Sequence, residues 1–160
     1  MPPHLVELMG IEISNVPKDI TGSAQSGDWF SLKNYSHITF IISQGAWAGG
    51  TPAVTLAQAT AVAGTSEKAL AFTKRWTKVA DTGTVWVETA VTSNTFNLPA
   101  TANTINLIEV ESAELDTDGG FDCVQLEIAT PGSNADLLCA IAILSGARYP
   151  QSITQDAKVD

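Results

Sequence analysis

The stretch that decides the fold is TPAVTLAQATAVAGTSEKALAFTKRW, residues 51–76. Both of its ends alternate apolar and polar residues with a period of two, which is typical of half-buried β-strands. We predict strands at Ala53 to Ala59 and at Ala69 to Trp76. Between them, VAGTSEK predicts a connection in which Gly64 turns the chain and charged side chains stay in water. No charge precedes Glu67 in this stretch, so its first half predicts a strand shielded by packing rather than a catalytic pocket.

The same period of two recurs along the chain, with turn-forming residues at short intervals and no capped, helix-length amphipathic segment. The predicted strands are Leu5 to Ile13, Trp29 to Leu32, His37 to Ser43, Ala53 to Ala59, Ala69 to Trp76, Thr84 to Ala90, Thr95 to Leu98, Thr104 to Glu111, Phe121 to Ala129 and Leu137 to Leu144. Short strands must bury their apolar faces against one another. We therefore predict an all-β fold, an antiparallel two-sheet β-sandwich that is jelly-roll-like. The hairpin expected first joins IEVESAEL to FDCVQLEIA across DTDGG, residues 116–120.

Length and composition predict one folded domain with distinct ends. The chain has 160 residues, of which 44% are apolar and 16% charged, which suits a single core. We assign residues 1–27 to an extended N-terminal arm, residues 28–148 to the sandwich and residues 149–160 to a C-terminal tail. The segment LVELMGIEI has two interpretations of equal weight: a strand added to a neighbour's open sheet edge, or the first strand of its own sandwich.

The charge of the chain argues against a nucleic-acid partner. Its formal net charge is −9 with only eight lysines and arginines, whereas affinity for nucleic acid comes from neutralising phosphates. The longest purely apolar run, LLCAIAIL at residues 137–144, is far shorter than the roughly 20 residues that span a bilayer. With no secretory signal visible, we expect a soluble protein made in a cytoplasm, with no membrane partner.

No catalytic or cofactor motif is found. Nucleophilic hydrolysis needs a histidine oriented by a carboxylate, and the two histidines are His4 in the arm and His37 at a strand start. Neither a G-x-S-x-G elbow nor a phosphate-binding glycine motif occurs. Cys123 and Cys139 lack the spacing of a zinc or redox site; we expect free thiols, with Cys123 facing outward and Cys139 buried. We predict no enzyme activity, cofactor or metal.

Two features leave alternatives open. Asp116, Asp118 and Asp122 lie close together, as in a turn between strands, a weak calcium site or a carboxylate pair. The stretch departs from the calcium-loop pattern of helix-loop-helix proteins, and we favour the turn. Trp47, in GAWAGGTP, is either an exposed contact anchor for a partner or sugar, or a side chain folded back over the sheet.

Three further features of the sequence are a strand ending in Gln-Ala, a G-x-x-x-K-A-L-x-F return at residues 64–72, and a last strand that closes as AILSGARYP. With these features the chain resembles small proteins encoded beside the head genes of tailed bacteriophages and their prophages. The resemblance covers roughly residues 28–150. It implies a β-sandwich decoration or cement protein on the outer surface of the virion. The implied partners are the major capsid protein and further copies of the chain, with a trimer favoured.

The function predicted from these observations is capsid stabilisation without enzyme chemistry. The residues that we expect to contact a partner are Leu5, Val6, Leu8, Ile11, Ile13, Trp47 and Tyr149. One alternative is a component of the head-tail connector or the tail. A second is a carbohydrate-binding module that displays Trp47 or another aromatic side chain.

Overall fold

The strands of this protein alternate buried and outward side chains. In Thr104–Glu111 (β9), for example, four buried positions alternate with four outward ones. The structure, a computed structural model, describes residues 4–80 and 85–148. The strands are β1 Gly10–Asp19, β2 Gln25–Ser31, β3 His37–Trp47, β4 Ala53–Ala59, β5 Lys68–Ala69, β6 Lys74–Val79, β7 Val87–Ala90, β8 Thr95–Asn97, β9 Thr104–Glu111, β10 Cys123–Ile128 and β11 Asp136–Ser145. A short helix α1 covers Leu5–Leu8, and 3-10 turns cover Ser112–Glu114 and Thr117–Gly119. Among these described residues, no helix is long and apolar enough to cross a membrane.

The strands form two antiparallel sheets that pack face to face, which confirms the predicted β-sandwich. Sheet A has six strands in the order β1-β11-β3-β9-β6-β7. Sheet B has the order β2-β10-β4-β5, and β8 also pairs with β4. The orders β1-β11-β3-β9 and β2-β10-β4-β8 are those of a jelly roll, in which the chain crosses repeatedly between the sheets. The β6-β7 hairpin extends sheet A beyond this frame.

The core lies between the two sheets and is built from the inward positions of both. Phe30 on β2 and Phe40 on β3 meet across it with ring centroids 6.1 Å apart. A second aromatic pair, Phe72 and Phe96, has centroids 6.1 Å apart in an edge-to-face arrangement, a geometry that the ring quadrupoles favour. Both pairs belong to one contiguous buried cluster.

The predicted hairpin across DTDGG is wrong. β9 lies in sheet A between β3 and β6, whereas β10 lies in sheet B between β2 and β4. The two 3-10 turns carry the chain from one sheet to the other, and the Asp116 carboxylate caps the second by accepting from the Gly119 N–H at 3.0 Å. The segment DTDGG therefore connects strands of different sheets. The turn propensity of its aspartate and glycine residues does not determine whether the flanking strands pair with each other.

The predicted strand Ala69 to Trp76 divides in the same way. β5 belongs to sheet B and β6 to sheet A. Leu70 and Phe72, in the crossing between these strands, are each only 2% exposed. Burial of alternate side chains thus continues through the crossing, which explains why a period of two predicts one strand.

The N-terminal segment forms the first strand of its own sandwich from residue 10 onward. Gly10–Asp19 pairs with β11, with Ile11 opposite Ile143. The structure differs from the predicted arm of residues 1–27, because β1 and β2 both lie within the two sheets. The start of the predicted strand, Leu5–Leu8, is helical instead. The predicted tail at 149–160 falls outside the described residues.

The predicted exposures of the two cysteines are reversed. Cys123 is fully buried, whereas Cys139 is partly exposed on the outer face of sheet A. The outer face of sheet B is covered, since Gln125 on the same side of β10 is only 6% exposed and donates to the Gly27 carbonyl at 2.7 Å. Both cysteines are free thiols, as predicted.

Candidate interaction surface

An unbroken row of apolar side chains crosses the outer face of sheet A. Strand register places Ile13 opposite Ile141, Ile141 opposite Ile41, Ile41 opposite Leu107, and Leu107 opposite Trp76. Residues directly opposite each other in antiparallel strands point to the same side of the sheet. These five residues, from five neighbouring strands, are called the apolar row below.

Further apolar side chains widen this row into a face. Ile11 lies opposite Ile143 on one side of it, and Ile105 follows Leu107 by two positions on the other. The exposed fractions are 42% for Ile11, 50% for Ile13, 45% for Leu137 and 37% for Ile141. We call this surface face A: it consists of Ile11, Ile13, Ile41, Trp76, Ile105, Leu107, Leu137, Ile141 and Ile143. Its extent is on the order of a few hundred Å², the size of the largest apolar patch on a typical monomer, which is often functional.

Strand β11 shows why the local sequence produces face A. Its inward residues, from Leu138 to Leu144 at alternate positions, are at most 4% exposed. Its outward residues are also apolar, because LLCAIAIL carries no polar residue on either side. An antiparallel sheet with one solvated face normally alternates apolar and polar residues. The missing polar alternation was the signal in the sequence for an exposed apolar face.

Charged and polar groups border face A. Glu109 lies opposite Thr39, and Glu111 lies opposite His37, toward one end of the strands. Lys78 lies opposite Ile105 toward the other end. The apolar row itself ends at Glu88, which lies opposite Trp76 on β7. An apolar centre with a polar rim is the composition of protein-protein interfaces.

A shallow cavity of about 380 Å³ opens beside face A, lined by residues that include Pro17, Lys18, Ser43 and Cys139. Its walls belong to β1, β3 and β11. It is mostly apolar and holds one cationic side chain. The Cys139 thiol, half-buried there, lies opposite Ser43.

The predicted contact residues lie on different parts of the structure. Ile11 and Ile13 belong to face A. Leu5, Val6 and Leu8 are 56%, 56% and 49% exposed on helix α1, which precedes the edge strand β1. All five are exposed apolar side chains.

Trp47 lies apart from face A. Its side chain is half-buried and packs against the core, and its indole N–H donates to the Gly50 carbonyl at 3.2 Å. The interpretation of Trp47 as a side chain folded back over the sheet therefore fits, and the exposed anchor does not. Tyr149 lies outside the described residues.

His37 contacts a serine rather than a carboxylate. Its Nδ1 lies 3.1 Å from Ser145 Oγ on the neighbouring strand. Across residues 4–80 and 85–148, no carboxylate forms an ion pair with the ring. The contact is a hydrogen bond between neighbouring strands, and no carboxylate-oriented triad is assembled around His37 among these residues.

The acidic loop is held by internal contacts. The Asp116 carboxylate pairs with Lys68 Nζ as well as capping the Thr117–Gly119 turn. The hydrogen bond from Lys68 is the main reason that the pKa of Asp116 lies below its usual value, and the Gly119 N–H adds to it. Asp122 accepts from the Cys123 thiol at 3.2 Å. In the part of the chain that the structure describes, no group of three His, Cys, Asp or Glu side chains could hold a metal ion.

Comparison with known proteins leaves the family open. No protein-family model and no curated protein sequence matches the chain. Among solved structures, the crystal structure of SPBc2 prophage-derived protein YomS aligns with 85% of this chain and 91% of its own, at 9% identity and a TM-score of 0.45. At that identity and TM-score the likeness shows neither a shared family nor a function.

Proposed function

We propose that this protein is a non-enzymatic structural component of a tailed-bacteriophage particle, which decorates and cements the capsid by binding the major capsid protein through face A. The observation that carries the proposal is the in-register apolar row across five strands of sheet A. The bacteriophage setting is supported by the sequence resemblance. The jelly-roll fold adds nothing to that setting, because one fold serves many functions.

A flat apolar sheet face suits a bridging protein. A stable interface buries about 800 Å² on each partner, with an apolar core and a polar rim. Face A supplies on the order of 400 Å² of apolar core. At about 25 cal/mol per Å², its burial contributes on the order of 10 kcal/mol before the costs of association.

The net charge supports a location away from packaged DNA. A chain with 17 acidic and eight basic residues is repelled by a phosphate backbone. We therefore place the protein on the outer surface of the capsid, after synthesis in the host cytoplasm. As part of the same proposal it assembles as a symmetric homo-oligomer, with a trimer favoured.

Two alternatives make different predictions. A component of the head-tail connector or tail would use the same face but occur in about six or twelve copies per particle, whereas a decoration protein would occur in hundreds. In a carbohydrate-binding module, the aromatic side chain that stacks on the sugar would be Trp86, which is 46% exposed. Trp47 does not suit this role because its indole N–H is bonded to the Gly50 carbonyl. Glycan-array binding that is lost in Trp86→Ala would favour this second function.

The proposal is tested on purified particles and on the isolated protein. Mass spectrometry of the particles should detect the chain, and its absence would contradict the proposal. Ile141→Asp should weaken binding to capsids that lack the protein, because it places a charge in the centre of the apolar row. Thr92→Asp, at an exposed position outside face A, serves as the control with the same added charge. Equal capsid binding by the two variants would contradict the assignment of face A.

A further inference from the structure

The apolar row at the centre of face A is straight. It takes one residue from each of five neighbouring strands, and these residues lie directly opposite one another, so the row crosses sheet A at right angles to the strands. Two sheets that pack face to face keep their strand directions within about 30° of each other. A second copy of sheet A can meet face A in this way, with each residue of the row over its own copy.

Charged side chains of opposite sign flank this row. Glu109 follows Leu107 by two positions on β9 and lies on the same side of the sheet. Lys78 follows Trp76 by two positions on β6 and lies opposite Ile105. Because β6 and β9 are antiparallel, these two steps lead away from the row in opposite directions. The carboxylate and the ammonium group therefore belong to opposite sides of the row, each about 7 Å from it along the strands.

The other charged residues around face A preserve this difference in sign. The Glu109 side carries a second carboxylate at Glu111, further along β9. Lys74 on that side pairs with Glu88 at 3.0 Å, so these two charges offset each other. On the Lys78 side, Lys18 and Asp19 lie next to each other at the end of β1. One side of the row is thus acidic, and the other carries a small excess of positive charge.

This distribution of charge favours one orientation of a second copy. A twofold axis along the row reverses the strand direction of the second copy, so the acidic side of each copy faces the basic side of the other. A twofold axis along the strands would instead place the acidic side of one copy over the acidic side of the other, and like charges facing each other disfavour association. Only the axis along the row brings opposite charges together.

The distances in that orientation suit an ion pair and a stable interface. Glu109 lies over Ile105 of the second copy, whose neighbour on the next strand is that copy's Lys78. Stacked sheets are about 10 Å apart and neighbouring strands about 5 Å apart, a separation that glutamate and lysine side chains together can span. The five strands cover on the order of 600 Å² in projection. This area is close to the roughly 800 Å² that a stable interface buries on each partner.

We infer that face A of the free protein binds face A of a second copy, with the twofold axis along the apolar row and Glu109 of each copy paired with Lys78 of the other. The occupant is a second copy because the face is complementary to itself: its apolar row lies on the axis, and opposite charges lie at equal distances on either side. On a particle, the capsid protein would replace the second copy, and this consequence alone rests on the proposed function. The trimer favoured there would use other surfaces.

The charge pairing is tested by sedimentation velocity of the full chain over a range of concentrations, which should show a reversible equilibrium between monomer and dimer. Glu109→Lys and Lys78→Glu should each raise the dissociation constant about tenfold, because each reversal places like charges together twice in the symmetric interface. The double variant Glu109→Lys/Lys78→Glu should return to within about threefold of the wild type. Glu67→Lys makes the same charge change at an exposed position between β4 and β5 and should have no effect.

The position of the axis is tested with a thiol cross-linker. Ile141 belongs to the row, whereas the free thiol of Cys139 lies two positions away on the same strand. The axis places the two copies of residue 141 face to face, but it separates the two copies of residue 139 by about 14 Å along the strands. A short bis-maleimide should therefore cross-link Cys139→Ser/Ile141→Cys into a dimer far more efficiently than the wild type.

Several results would overturn the inference. These are a monomer or a trimer at every concentration, no recovery in the double charge variant, or equal cross-linking from the two thiol positions. A monomer whose thiol at position 141 resists maleimide would show that another part of the chain covers face A, and it would overturn the inference equally. Circular dichroism shows whether each charge variant folds, and the cross-linking comparison decides if one does not.

These measurements need no capsid, so they are separate from the test of the proposed function. A chain that stays monomeric but binds capsids through face A would contradict only the dimer. A dimeric chain that is absent from purified particles would contradict only the proposed function.

Discussion

The connection between β3 and β4 is held by a buried carboxylate, and removing it should destabilise the fold measurably. Asp136 is fully buried at the start of β11. Its Oδ1 accepts from the Ala48 N–H at 2.7 Å and from the Gly49 N–H at 3.2 Å. Its Oδ2 is buried without a hydrogen-bond partner among the described residues. We predict that Asp136→Ala lowers the free energy of unfolding by about 3 kcal/mol.

The magnitude follows from opposing effects. Each hydrogen bond to a charged acceptor contributes about 1.5–3 kcal/mol, so loss of the two bonds costs about 3–6 kcal/mol. Relief from burying the unpartnered Oδ2 offsets about 1–3 kcal/mol of this cost. Asp136→Asn retains an acceptor for both N–H groups but leaves an unpaired amide donor at the Oδ2 position. We therefore expect Asp136→Asn to cost about 1 kcal/mol, clearly less than the alanine variant.

Urea unfolding followed by tryptophan fluorescence measures both effects. For a chain of this size, a loss of about 3 kcal/mol corresponds to a fall of about 6–12 °C in Tm. Glu109→Ala, which removes an exposed carboxylate from β9, is the control and should change the stability by less than about 0.5 kcal/mol. An alanine variant within 1 kcal/mol of the wild type, or equal to Asp136→Asn, would refute the reasoning.

Three further predictions follow from single contacts. Gly27→Ala should destabilise the protein by about 1–3 kcal/mol in urea unfolding, because an added Cβ would lie 2.7 Å from a backbone carbonyl oxygen of β10; an unchanged midpoint would disprove the clash. In the native protein a maleimide should modify Cys139 and leave Cys123 unmodified, as read by peptide mass spectrometry, and modification of both at equal rates would contradict the burial. Lys68→Met should raise the pKa of Asp116 toward its usual value, since the hydrogen bond from Lys68 is the main cause of the lowered pKa. A lowered carboxyl pKa stabilises the folded state at pH values above the unfolded pKa, and this stabilisation is lost as pH falls through the folded-state pKa. Lys68→Met should therefore be less stable than the wild type above that pH range, and its stability should fall less steeply with decreasing pH. An unchanged ¹³C titration of the Asp116 carboxyl would refute the assignment.

Much of the fold was predictable because strand formation depends on local alternation. The runs His37–Trp47 and Thr104–Glu111 alternate so regularly that strand type and inward face follow from the residues themselves. The two-sheet architecture then follows, since many short strands with one apolar side have to cover one another. Ile11 and Ile13 could be nominated as contact residues because they belong to LVELMGIEI, the segment expected either to join a neighbour's sheet edge or to form the first strand of the sandwich.

The errors arose where partner choice mattered. The DTDGG segment has the residues of a hairpin turn, yet its strands belong to different sheets. Cys123 has polar neighbours at alternate positions and is buried, whereas Cys139 has apolar neighbours and is partly exposed. In each case the local pattern assigns alternate residues to the two sides of a strand. It carries no information on what covers either face.

The sequence by itself determined the strand content, the sandwich class and the acidic surface, because these depend on residue types and on spacing over a few positions. Only the tertiary structure decided which strands are neighbours, and through them the composition of face A. The apolar row takes one residue from each of five strands, from Ile13 on β1 to Trp76 on β6 and Ile141 on β11. Register and sheet overlap are set by contacts between distant segments, so no local pattern specifies them.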